Sequence, residues 1–82
     1  MDEPNCFVIL FHSTHQALRG EEVLKAAGIE HAVINTPREF SVDCGISLRV
    51  GVTSREEAER ALRAEGVVFA GIAPYRSRFQ AR

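Results

Sequence analysis

Cysteine is scarce in this chain: only Cys6 and Cys44 are present among 82 residues, and neither has a short-range partner. That scarcity excludes a disulfide framework and a self-contained zinc site, and in a reducing compartment both residues default to free thiols. Long apolar runs are missing too. The longest, Cys6 to Phe11 and Val67 to Ala73, fall far short of the roughly 20 residues that span a bilayer, and no basic-then-apolar segment opens the chain. A cytoplasmic protein with no membrane partner is expected. An excess of charge is absent as well: ten Lys and Arg stand against eleven Asp and Glu, for a net charge of -1. Nothing in that balance points to nucleic acid. Three histidines, at positions 12, 15 and 31, make no recognisable metal set with Cys44, so no metal is expected. There is no serine-histidine-carboxylate spacing, phosphate loop or dinucleotide fingerprint. No cofactor is expected, and whether the protein is an enzyme stays open.

What is present suffices for one modest core. With 45% hydrophobic residues, the chain reads as a single domain, 1–82, with a polar lead over 1–5 and a basic tail over 75–82. Cys6 to Phe11, β-branched and aromatic, suits a central strand apolar on both faces. Ser13 with Gln16 has capping-box spacing, and Ala17, Gly20, Leu24 and Ala27 recur at helical intervals until Gly28. Gly20 falls on that apolar stripe, which predicts a close approach of helix to sheet. His31 to Asn35 is a short strand. Ile46 to Val52 alternates apolar residues with Ser47, Arg49 and Gly51, which predicts one wet face. Thr53 with Glu56 repeats the capping-box spacing before a helix striped by Ala58, Ala61 and Leu62 that ends at Gly66. Val67 to Ala73 reads as the last strand, stopped by Pro74.

The order is therefore β-α-β-β-α-β, the split βαβ arrangement of the ferredoxin-like superfold, an α+β class with a four-stranded antiparallel sheet. Right-handed crossovers place the first and third strands in the middle and both helices on one face. The other face is left bare. Exposure there of Val8, Leu10 and Val68, or of their odd-numbered neighbours, predicts a homo-oligomer.

The stretch Pro37 to Arg49 stands apart: a rigid proline, charges at Arg38, Glu39 and Asp43, then a lone cysteine backed by a glycine. In this topology the third strand starts where the first helix begins, so Cys44 should lie near Ser13, Thr14 and His15. Cys44 shares parity with Ile46, Leu48 and Val50, which points its sulfur toward the helices. The positive end of a helix lowers a thiol's pKa. Asp43 opposes that effect and Arg38 supports it if the loop folds back. The alternative is that Cys44 is a small buried hydrophobe at a strand end. Glu21 is read as a snorkelling surface carboxylate, with pairing to Arg38 or Arg49 as the alternative, and His12 and His15 lie where either could hold a proton near neutral pH. Cys6 and Cys44 should sit at opposite ends of neighbouring strands, roughly 20 Å apart at about 3.3 Å per residue, which excludes a bridge between them.

These residues resemble a known family. Phe11 with Ser13 and Thr14, Ala17 and Glu21, Gly28-Ile29, Pro37-Arg38, and Ser41 with Cys44-Gly45 and the alternation that follows are together similar to the putative selenium/sulfur carrier protein-like family, a small bacterial domain found alone or beside sulfur-carrier domains. The sequence departs from the expected pattern at His12 and Asp43. The resemblance implies that Cys44 holds sulfur or selenium as a persulfide or perselenide; Arg38, Gly45, Ser13, Thr14, His15 and Ser41 are the residues expected around it. It also implies a sulfur-carrier or sulfurtransferase protein as partner. A non-catalytic interaction or small-anion-binding module, self-associating through the bare sheet face, is the alternative.

Overall fold

The computed structural model describes residues 4–76, and these form β1 (Cys6–Leu10), α1 (Thr14–Ala26), β2 (His31–Asn35), β3 (Ile46–Gly51), a 3-10 turn (Val52–Ser54), α2 (Arg55–Ala64) and β4 (Gly71–Tyr75). The strands make one sheet in the order β2-β3-β1-β4, every neighbouring pair antiparallel. The first and third strands therefore hold the centre, and with two helices the fold is α+β. The part of the basic tail beyond Arg76 lies outside the described residues.

Register sorts the side chains into two faces. Ile9 stands opposite Leu48 on one side and Ile72 on the other, and Phe7 opposite Val50. These residues belong to a core shared with Phe11, with Ala17 and Leu24 of α1, and with Ala58 and Leu62 of α2. Both helices are therefore served by the same sheet face. Val8, Leu10, Ser47 and Tyr75 have the opposite parity and point the other way.

Both helices end by one device. Gly28 and Gly66 adopt positive φ, 73° and 72°, where a side chain would be strained. The amide of Ile29 donates to the Leu24 carbonyl and that of Gly28 to Lys25; Val67 donates to Leu62 and Gly66 to Arg63. These are paired Schellman closures, each burying the apolar residue after the glycine against the core.

Four expectations need correction. Val67 caps α2 instead of starting a strand, so β4 begins at Gly71 and runs through Pro74 to Tyr75. Proline is tolerated there because β4 is an edge strand. The second capping box does not form: a 3-10 turn precedes α2, and Ser54 makes no side-chain cap. The first is half formed. Ser13 accepts from the Gln16 amide, but the Gln16 side chain turns to accept from the amide of Val68, tying α1 to the α2-β4 connection.

The fourth correction concerns the bare face. Val8 and Ser47 are 0% exposed and Leu10 is 8% exposed, although all three point away from the helices. The connection 36–45 explains this. It leaves the β2-β3 edge pair, yet the Phe40 ring lies 6.0 Å from that of Tyr75 on the far edge strand. At about 4.8 Å per strand, the segment must cross β3 and β1 to make that contact. It is a strap laid over the second face. Val68, 57% exposed, belongs to no strand. Among the described residues, Val8 and Leu10 do not form the exposed apolar sheet face that argued for a homo-oligomer, and the face expected to be wet is dry at Ser47.

Candidate functional site

The strap begins with a turn in which the Phe40 amide donates to the Pro37 carbonyl. This turn puts Arg38 and Glu39 at its exposed tip and sends Phe40 back onto Tyr75. Its other end returns to the sheet at Cys44 and Gly45, where the Thr36 amide donates to the Gly45 carbonyl and extends the β2-β3 pairing by one rung.

Cys44 is buried, 3% exposed, and packs in the core on the helix side. Its thiol donates to the Ile46 carbonyl at 3.1 Å, and its Sγ lies 3.9 Å from Oγ1 of Thr14, the first residue of α1. Ser13, the helix cap, spends its side-chain oxygen on the Gln16 amide. Cys44 and Thr14 are thus brought together, with Ser13, His15 and Gly45 adjacent along the chain. His12, Ser13, His15, Ser41, Asp43 and Gly45 are exposed.

Arg38 is not brought in. It is exposed, and no hydrogen bond or ion pair joins it to another described residue. The turn at Pro37 supplies the reason, since its tip faces solvent. Glu21 pairs with neither arginine; its carboxylate lies 3.8 Å from Nε2 of His31, whose Nδ1 bonds the Ile29 carbonyl at 2.8 Å. Cys6 is at the other end of β1, opposite Gly51, and donates to the Tyr75 carbonyl. Both cysteines are buried thiols, and no disulfide joins them. No group of three His, Cys, Asp or Glu among the described residues is arranged to hold a metal ion.

Two residues beside Cys44 escaped the sequence reading. The Thr36 hydroxyl donates to the Cys44 carbonyl at 3.0 Å and shares a 2.6 Å hydrogen bond with the Ser47 hydroxyl. Thr36 has a single hydroxyl proton, so in that arrangement Ser47 is the donor of the second bond. Alternation assigned Ser47 to solvent, and nothing local in the sequence marks the strap that buries it.

The family model described as putative Se/S carrier protein-like matches residues 6–74, from the first residue of β1 to the penultimate residue of β4. The chain belongs to that family. The match contains the strap, Cys44 and Thr14 entire. No curated protein and no solved structure matches this Se/S carrier-like chain. Among the described residues, no helix is long and apolar enough to cross a membrane.

Proposed function

We propose that this domain is a ferredoxin-like module that carries sulfur or selenium on Cys44, exchanging it with a sulfur-carrier or sulfurtransferase protein of a bacterial cell. The observation that carries the reading is the placement of the Cys44 sulfur against the first residue of α1, at the end of a strap, within the span matched by the Se/S carrier-like family. Loading is written as an exchange. The Cys44 thiolate attacks the outer sulfur of a donor persulfide, the donor's S-S bond breaks, the donor thiolate leaves and takes up a proton, and Cys44 becomes the persulfide. One thiol and one persulfide enter and leave, so no oxidant is consumed. After deprotonation the sulfur no longer donates to Ile46, and the Thr14 hydroxyl is the side chain placed to donate to it. Ser13, His15, Gly45, Ser41 and Arg38 make up the surrounding chain that a partner would meet.

One observation favours a second reading. Cys44 is 3% exposed, as an inert core cysteine would be, which suits a non-catalytic interaction or small-anion-binding module. Intact-mass analysis after incubation with a small persulfide donor separates the two. Wild type and Cys6→Ser gain one sulfur under the carrier reading, while Cys44→Ala gains none. Equal uptake by Cys44→Ala, or none by wild type, overturns it.

A further inference from the structure

Ser47 is the one polar side chain in the buried set of the described residues, at 0% exposure, and its hydroxyl serves a single visible purpose. It donates to Thr36, whose own proton is thereby directed at the Cys44 carbonyl. The Thr36 amide holds the neighbouring Gly45 carbonyl. Thr36 and Ser47 sit on the strap side of the sheet, whereas the Cys44 sulfur faces the helices, so the two hydroxyls act on Cys44 through its backbone alone. Three hydrogen bonds thus converge on the point where the strap rejoins the sheet. Beyond it, the sulfur is closed in by Thr14 and by its own bond to Ile46.

We propose that Thr36 and Ser47 are positioning residues that pin Cys44 in its buried setting, and that release of this pin, with the rest of the sheet intact, presents the thiol to a donor or acceptor. The use of the pin rests on the carrier reading above; its existence does not. A pin built of side-chain hydroxyls opens more readily than the ladder beside it, because a net hydrogen bond contributes only about 1 kcal/mol, whereas unfolding the sheet costs the whole core.

Cys6 provides the internal control, being buried at the opposite end of β1. Iodoacetamide alkylation of both cysteines is followed by peptide mass analysis in the full chain. In Thr36→Val the rate at Cys44 relative to Cys6 rises about tenfold, equivalent to about 1.4 kcal/mol. Thr36→Ser, which keeps the hydroxyl, stays within about twofold of wild type. Thr36→Val combined with Ser47→Ala leaves no hydroxyl unpaired and serves where the single variant folds poorly; it shows the same rise. An unchanged ratio, or both cysteines accelerating together, overturns the pin. A persulfide donor is then applied to the same proteins. If Cys44 gains no sulfur in any variant while the alkylation ratio rises, the pin stands and the carrier reading falls.

Discussion

A methyl group on Gly20 would sit 2.9 Å from Cζ of Phe11 and 3.2 Å from Cδ1 of Leu48, both fully buried. Both side chains would have to shift inside the core, so alanine here gains about 1 kcal/mol of helix propensity and meets an overpacking cost of roughly 1 to 3 kcal/mol. Gly20→Ala should lower stability by roughly 1 kcal/mol. A urea midpoint that rises instead would show that α1 can lift off the sheet freely. This residue was legible because it interrupts a helical apolar stripe, and so was the meeting of Cys44 with Thr14, which follows from parity and crossover order alone. Arg38 was not legible. Its direction depends on a turn whose tip carries no periodic signal, and the same holds for Ser47, whose burial is imposed by a segment from elsewhere in the chain.

On α2 the informative unit is a ladder. Glu59 accepts from Arg55 at 3.0 Å and from Arg63 at 2.9 and 3.1 Å, while Arg55 lies over the Phe7 ring at 5.5 Å and Arg63 over Phe69 at 5.2 Å. One carboxylate therefore holds two guanidinium groups over aromatic rings, Phe7 of β1 and Phe69 of the α2-β4 connection. The hydrogen bond from Arg63, with further help from Arg55, holds the Glu59 carboxyl below its usual value. A lowered folded-state pKa means stability that is present above the unfolded value and lost as pH falls through the folded one. Glu59→Gln should therefore melt below wild type at neutral pH, and the gap should close as pH falls below the ordinary carboxylate range. A gap that persists unchanged in acid would assign the effect to packing. The helix and its stop at Gly66 were legible, but Val67 was misread as the start of a strand: Leu62 to Val67 repeats the Leu24 to Ile29 pattern of leucine, then glycine and a β-branched residue, and that repeat is the signal that Val67 closes a helix.

For the whole molecule, the strap changes how the sheet meets its surroundings. Strand order and helix placement follow from the alternation of elements, because crossover handedness leaves few topologies. Coverage of the second face does not follow, since it depends on Phe40 reaching Tyr75 across the sheet, a contact between residues in segments without periodicity. Phe40→Ala should uncover Val8 and Leu10, lower stability by roughly 1 to 2 kcal/mol and introduce self-association through that face. Light scattering of the two proteins at equal concentration checks this; a variant that scatters like wild type would show that other parts of the chain cover the face.

Carrying sulfur requires that it be taken up and given away by a folded protein, and one measurement tests both halves. The chain is loaded from a persulfide donor bearing isotopically labelled sulfur, freed of donor, and offered a fresh small thiol under native conditions, with the label followed by peptide mass analysis. A carrier cysteine at position 44 takes label on its own peptide, leaves none on that containing Cys6, and passes it to the added thiol while the fold is retained. Label that enters only after unfolding, that divides equally between the two cysteines, or that cannot be withdrawn by the thiol would contradict the carrier reading.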